Sequence, residues 1–152
     1  MRGIVIHTST ASLSSMDHWF TNADARASAH YGVALDGTVH QYVREADTAF
    51  HAGVILRPRN ALVKKMGAVN PNSYLIGIEN EDLGDPMGVT RTESQIDANV
   101  ELVYRICKGY KIKPSAATII PHRAIRADKL CPGNMPVNEI IRRVVQRFKT
   151  ED

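Results

Sequence analysis

An α/β domain, built on a mixed sheet flanked by helices, is predicted by three features of this sequence. Short β-branched runs, Ile4-Val5-Ile6-His7 and Ala117-Thr118-Ile119-Ile120-Pro121, have the length of buried strands. Two long segments, after Thr92 and after Val137, repeat apolar residues at helical spacing. Between strand and helix signals stands Asp36-Gly37, a hairpin turn that adds an antiparallel pair to an otherwise interspersed pattern and so makes the sheet mixed.

Element by element, Ile4 to His7 is expected as the first strand. Ser14 or Ser15 caps a helix beginning near Met16, with Trp19, Phe20 and Ala23 sharing a face. Ala29 to Leu35 and Thr38 to Val43 flank the Asp36-Gly37 turn, where both turn positions are expected to take positive φ. A loop from about Val54 to Asn72, marked by Arg57-Pro58-Arg59-Asn60 and Asn70-Pro71-Asn72, leads to a strand from Tyr74 to Asn80. A second loop, Glu81 to Thr90, contains Gly84, Pro86 and Gly88. Thr92 and Gln95 then read as a capping box, and Ile96, Val100, Val103 and Cys107 form the stripe of a helix ending at Gly109. Cys107 belongs to that stripe and is expected to pack. After the last strand, Ala117 to Pro121, a loop from His122 to Pro136 precedes a helix whose face is Val137, Ile140, Ile141, Val144, Val145 and Phe148.

The 152 residues, 43% of them hydrophobic, suffice for one domain with a real core, and a single domain over 1–152 is expected. No apolar run reaches the length needed to cross a bilayer. The beginning of the chain, Met1-Arg2-Gly3 before Ile4, has no signal-peptide pattern, so cytoplasmic synthesis is the expectation. Two cysteines do not make a disulfide framework. A net charge of +3 favours polyanionic neighbours without choosing among nucleic acid, anionic lipid and envelope polymer. Basic residues are not interleaved with stacking aromatics, so no nucleic-acid partner is identified.

The chemistry-bearing residues are three donors at the rims of these elements: His7, His122 after Ile119-Ile120-Pro121, and Cys131 in Leu130-Cys131-Pro132-Gly133. Two imidazoles and a thiolate select Zn²⁺ over Mg²⁺ or Ca²⁺, and three protein ligands leave the fourth position open for catalysis. Amide hydrolysis further requires a base and a group that holds the oxyanion. Glu79 meets the first need, because alternation in Ile76-Gly77-Ile78-Glu79 puts it beside Gly77 on the face opposite the two isoleucines. Lys129 meets the second: two residues before Cys131, it points the same way in an extended segment.

With these residues in view, the chain resembles the zinc-dependent N-acetylmuramoyl-L-alanine amidases, which include the small phage lysozymes of the T7 type and share a fold with peptidoglycan recognition proteins. The resemblance runs in order through Ile4-Val5-Ile6-His7, Ser28-Ala29-His30-Tyr31, Asp36-Gly37-Thr38-Val39, Phe50-His51-Ala52-Gly53, Asn72 to Glu79, Pro121-His122-Arg123 and Lys129 to Gly133. It implies that His7, His122 and Cys131 bind zinc, that Glu79 and Lys129 assist catalysis, and that the amide between N-acetylmuramic acid and L-alanine in bacterial peptidoglycan is cut. His51, His30 and Tyr31 are expected to contact substrate. Three positions depart from the pattern. Thr8 stands where many relatives have a second histidine. Ala29 takes the place of the tyrosine that T7-type members carry before the histidine, which moves catalytic weight to Glu79. Phe50 replaces the tryptophan common before His51.

A phage endolysin acting on the host wall after release is the leading expectation. A cytosolic amidase recycling muropeptides, a non-catalytic peptidoglycan-binding module, and a cysteine peptidase with Cys131 as nucleophile and His122 as base stand as rivals. A monomer is expected. The last helix gathers Arg142, Arg143, Arg147 and Lys149 against Glu139, a basic face that is either solvated or a weak contact for an anionic envelope surface.

Overall fold

The computed structural model describes residues 1–84 and 90–151. Its centre is a five-stranded sheet in the order β3-β2-β4-β1-β5. The strands are β1 (Gly3–Thr8), β2 (Tyr31–Val33), β3 (Val39–Gln41), β4 (Leu75–Asn80) and β5 (Ile119–Pro121). β1 lies parallel between β4 and β5, and β2 adds on parallel to β4. β3 alone is antiparallel, at the edge. The mixed sheet expected from the hairpin is therefore present, and it contains four parallel strands.

Strand alternation sorts the core into two layers. Ile4, Ile6, Ile76, Ile78 and Ile119 point to one face and join a large cluster with Val100, Val103, Ile140 and Val144. These last four come from α3 (Glu93–Tyr110) and α4 (Val137–Glu151), which cover that face. Val5, Leu75 and Ile120 point the other way into a smaller cluster with Val63, Tyr74 and Ile125. His7, Gly77, Glu79 and His122 follow the parity of this second face. The register His7↔Glu79 across β1 and β4, with Ile6↔Pro121 across β1 and β5, brings these side chains to the carboxyl ends of three adjacent parallel strands. Open α/β sheets place their ligand crevices there.

Several boundaries differ from expectation, each for a local reason. α1 spans Leu13–Phe20 and is capped by Ser12, whose Oγ accepts from the Ser15 N–H at 3.1 Å, so it starts earlier than a Ser14 or Ser15 cap requires. Met16 is its buried residue, Trp19 is exposed and Ala23 lies in a separate turn. The hairpin turn has a positive φ at Gly37 alone, at 89°. Gly37 N–H donates to the Ala34 carbonyl at 3.1 Å and Ala34 N–H to that of Thr38 at 2.8 Å, so glycine's freedom absorbs the whole reversal in a longer loop. Within the expected 54–72 loop sits a short helix, α2 (Ala61–Met66), capped by Asn60. Thr92 caps α3 by accepting from Gln95 N–H, but the Gln95 side chain donates instead to the Val33 and Glu81 carbonyls, so the reciprocal half of the capping box is replaced by a tie to the sheet. α3 continues one residue past Gly109, to Tyr110. Cys107 is buried in the large cluster as expected. In the expected 81–90 loop, Pro86 and Gly88 lie outside the described residues.

The arginines of the last helix are engaged within the chain. Arg142 pairs with Glu139 at 2.6 Å, Arg143 with Asp97 and Glu93, and Arg147 with Glu101 and Glu151. Three of these five acids, Glu93, Asp97 and Glu101, lie on α3 and the other two on α4, so the basic face is largely an α3–α4 seam.

Candidate metal centre and cleft

Three residues from distant parts of the chain converge on the second sheet face. His7 comes from β1, His122 from the turn His122–Ala124 directly after β5, and Cys131 from the following loop. All three are buried, and their donor atoms lie within 4.8 Å of one another. One ion bonding at roughly 2.0–2.3 Å to each ligand can bridge that spacing with small side-chain adjustments. His7 Nδ1 is 3.7 Å from Cys131 Sγ and 3.9 Å from Glu79 Oε1. The Thr8 backbone N–H donates to Cys131 Sγ at 3.2 Å, a contact suited to a thiolate.

The donors are held in neutral form by their surroundings. Burial, then repulsion from His122 and His51, keeps the His7 imidazole well below its usual value. Burial lowers His122 as well, opposed by its hydrogen bond to the Ala52 carbonyl. Burial pushes the Cys131 thiol up to about 12, with the Glu79 carboxylate contributing in the same direction. Binding a cation here therefore releases the thiol proton but requires none from the imidazoles. Glu79 is pushed up to about 8 by burial, and its Oε2 is buried with no hydrogen-bond partner. A buried carboxylate oxygen without a partner, beside two imidazoles and a sulfur, fits a site that takes a cation.

A network behind the cysteine fixes its loop. Arg91, half-buried beside the buried Asp82, donates through Nη2 to Asp82 Oδ2 at 3.3 Å, to Thr8 Oγ1 at 2.9 Å and to the Pro132 carbonyl at 3.2 Å. Thr8 Oγ1 itself donates to Asp82 Oδ2 at 3.0 Å. The guanidinium thus joins the end of β1 to the Cys131-Pro132 segment. Arg91 was not among the residues expected at the site; its only signal was an arginine immediately before the Thr92 cap, which reads as exposed.

Not every expected site residue faces the cleft. Lys129 is exposed at the rim in a turned segment, its N–H donating to the Arg126 carbonyl, and its charge is felt at both His122 and Cys131. His30 is fully buried behind the sheet. Its Nε2 donates to the Asp47 carbonyl at 3.0 Å and its Nδ1 accepts from Gly77 N–H at 3.0 Å, so the ring has no nitrogen left for substrate. Tyr31 packs in the large cluster on the opposite face, with its hydroxyl on Glu45 Oε1 at 2.6 Å. Substrate contact by His30 and Tyr31 is accordingly corrected: where the extended chain enters β2, alternation sends His30 into the sheet's support and Tyr31, the first strand residue, into the helical core. His51 stands behind His7, with its Nδ1 3.0 Å from His7 Nε2, and so backs a candidate ligand where substrate contact was expected.

Glu79 opens onto a cavity of about 460 Å³ lined by Thr8, Ser9, Met16, Trp19, Phe20 and Ala27 among others. Phe20 and Ala27 are shared with a neighbouring hollow of about 330 Å³ that reaches Arg26 and Phe50. Trp19, Phe50, Val54 and Leu130 are all exposed, and three of them flank His51, Gly53 or Cys131 in sequence. Of these, Trp19 lines the cavity beside Glu79 and Phe50 the neighbouring hollow, so the cleft carries apolar faces next to its polar centre, the usual make-up of a ligand site.

The fold and this centre define an α/β protein with a buried His-His-Cys donor set and an adjoining carboxylate in an apolar-rimmed cleft. Residues 1–134 match the family model of the N-acetylmuramoyl-L-alanine amidases, and the chain belongs to that family. Among solved structures it is similar to the N-acetylmuramyl-L-alanine amidase AmiD from E. coli, in complex with the substrate anhydro-N-acetylmuramic acid-L-Ala-D-gamma-Glu-L-Lys. That match has a TM-score of 0.77 and 26% identity over 94% of this chain and 57% of that one. AmpDh3 from Pseudomonas aeruginosa matches with a TM-score of 0.74 and 26% identity over 94% of this chain and 59% of the other. This chain therefore spans somewhat over half the length of both. The amidase LysC from Clostridium intestinale, with a TM-score of 0.68 and 21% identity over 91% and 81% of the two chains, shares the fold. No curated protein sequence matches the chain significantly.

Proposed function

We propose that this chain hydrolyses the amide between N-acetylmuramic acid and L-alanine in peptidoglycan, with zinc held by His7, His122 and Cys131. The observation that carries the proposal is the meeting of those three donors with Glu79 at the crevice of a chain belonging to the amidase family. Two imidazoles and a thiolate are borderline-to-soft donors matched to Zn²⁺. When bound, zinc supplies Lewis-acid chemistry, polarising the amide carbonyl and acidifying water.

The chain's own groups do the rest. Glu79 takes the proton of the attacking water and returns it to the departing amino group of L-alanine, so the carboxylate is regenerated. Burial alone holds Glu79 up near 8, and a neighbouring dication favours the ionised form that a base needs. Lys129 at the rim offsets the negative charge on the tetrahedral oxygen. The cavity beside Glu79 takes the sugar and peptide, with Trp19 and Phe50 offering apolar faces. The metal and these side chains act on a substrate class that AmiD was solved with.

A cysteine-peptidase mechanism is disfavoured by the same geometry. The Cys131 thiol is buried and raised to about 12, whereas a nucleophilic thiol needs a depressed value. The imidazole nitrogen in hydrogen-bond contact with its sulfur is His7 Nδ1, at 3.7 Å.

For the biological setting we propose an endolysin working on the intact wall after release from the cytoplasm, and the test compares two substrates. Purified zinc-loaded protein is assayed on intact sacculi and on soluble anhydro-muropeptides, with release of L-alanine amino termini as the readout. Cleavage of sacculi supports the endolysin role; cleavage of the soluble fragments alone assigns a recycling role. No cleavage of either contradicts the amidase proposal and leaves a peptidoglycan-binding module.

A further inference from the structure

His51 takes no part in the proposed hydrolysis, yet it lies in a row of imidazoles, with ring centroids 5.8 Å from His30 and 5.1 Å from His7. Its two ring nitrogens have different partners. Nε2 is 3.3 Å from the Leu75 carbonyl oxygen and Nδ1 is 3.0 Å from His7 Nε2. A carbonyl oxygen only accepts, so the His51 proton sits on Nε2 and Nδ1 carries a lone pair. His7 Nε2 satisfies that lone pair only by donating. Its other nitrogen, Nδ1, is then unprotonated, and that is the atom facing Cys131 Sγ and Glu79.

We infer that His51 is a positioning residue: it fixes His7 as the Nε2-protonated tautomer and so presents the Nδ1 lone pair to the metal. The inference rests on the metal-site reading above. Partners of this kind orient metal-ligating histidines and raise their basicity.

The surroundings of His51 are built to hold it. A Cβ on Gly77 would lie 2.5 Å from His51 Cγ and 2.6 Å from Cδ2, so the ring rests against β4 only because residue 77 has no side chain. Asn72 Oδ1 accepts from the His51 N–H at 3.1 Å and from the Ala52 N–H at 2.9 Å. The Ala52 carbonyl in turn accepts from His122 Nε2 at 2.9 Å, which leaves the lone pair on His122 Nδ1 by the same logic. One dipeptide, anchored by one buried amide, thereby orients both imidazoles. Gly77 also explains why a glycine is required in an otherwise apolar strand.

Two measurements test the inference. Long-range proton–nitrogen correlation spectra of the metal-free wild type read the tautomers directly, with His7 and His51 both expected to be protonated on Nε2. Zinc affinity, measured by competition with a chromophoric chelator, is expected to fall by about 10–100-fold in His51→Phe, which keeps the ring volume without the acceptor. His51→Asn, whose amide oxygen can stand near the position of Nδ1, is expected to recover most of that loss. Gly77→Ala is expected to weaken zinc binding like His51→Phe, because it displaces the same ring. A His7 protonated on Nδ1 in the metal-free protein, or a folded His51→Phe binding zinc as tightly as wild type, overturns the inference. If wild type binds no zinc, the metal reading fails; the tautomer, measured without metal, decides the present inference even if the variants do not fold.

Discussion

The two faces of the sheet are held together by different physics. On the face covered by α3 and α4, isoleucines and valines at strand and helix periods interlock, and side-chain identity matters chiefly through volume and burial. On the other face, the smaller apolar cluster gives way toward the strand ends to the buried His7, His51 and His122 and to Glu79, held by hydrogen bonds to loops far away in sequence, while beyond the strand ends the Arg91–Asp82 pair ties the cysteine loop to β1. The contrast teaches that one face makes the fold stable while the other makes it specific. Changes to the first should alter stability without altering chemistry, and changes to the second should do the reverse or both.

Glu79→Gln gives the largest separation between the two. Zinc content and melting temperature should stay near wild type, while kcat falls by about 10²–10⁴-fold, as expected for loss of a general base. Steady-state cleavage with parallel metal analysis checks this, and an unchanged kcat would remove Glu79 from the chemistry.

Arg91→Leu should cost both stability and metal. It leaves Asp82 buried beside Thr8 without its guanidinium and frees the Cys131-Pro132 segment. Breaking a buried pair in this way costs about 3–5 kcal/mol, measurable by urea denaturation, and zinc binding should weaken alongside. Loss of stability with full zinc affinity would show that the network braces the fold alone.

Ile140→Ala lies wholly on the other face. Ile140 is fully buried in the large cluster, so the truncation should cost about 2–5 kcal/mol by the same denaturation measurement. Activity per folded, zinc-loaded molecule should not change. A fall in kcat at low temperature, where the variant is folded, would mean that the helical layer reaches the site.

The smallest effect is a pH trend in metal-free protein. Glu79 is raised from 4.5 to about 8 on folding, so the folded state binds more protons across that window and its stability is lost as pH rises through it. His51 is lowered to about 3, so the unfolded state binds more protons below 6.5 and stability is lost as pH falls there. His7, His30 and His122, also lowered by burial, act in the same direction as His51, so together they outweigh Glu79 on the acid side and the stability of the metal-free chain should peak near pH 6.5. From 6.5 to 7.5 it should decline by no more than about 1.4 kcal/mol, the limit for one proton per pH unit. Saturating zinc should flatten this decline by favouring the ionised carboxylate, and denaturant midpoints across the range measure both slopes.

The same two faces differ in how far the sequence discloses them. The strands around Ile4, Ile76 and Ile119, the Asp36-Gly37 reversal and the helices after Thr92 and Val137 were legible because periodicity of apolar residues is a local signal. The convergence of His7, His122 and Cys131, the proposed ligands, beside Glu79, the proposed base, was legible from residue type at strand ends together with their order along the chain. The supporting contacts were not. His51 pairs with His7 at a separation of 44 residues, and Arg91 reaches Pro132 across 41, so neither partner is visible within a sequence window. His30 and Tyr31 are adjacent in sequence but point to opposite faces, which only the strand's orientation decides. α2 was hidden by the polar and proline-containing stretch before it, although Asn60 is a good cap, with Oδ1 accepting from Val63 N–H at 3.1 Å. The arginines of α4 look free along their own helix because their partners Glu93, Asp97 and Glu101 lie on α3.

The most direct test of the central claim measures zinc content and muramoyl–alanine cleavage on the same samples of wild type and Cys131→Ala. The account predicts about one zinc per wild-type chain, cleavage that disappears when the metal is stripped and returns when it is restored, and neither metal nor cleavage in Cys131→Ala. Cleavage that persists in zinc-free wild type or in Cys131→Ala would contradict it.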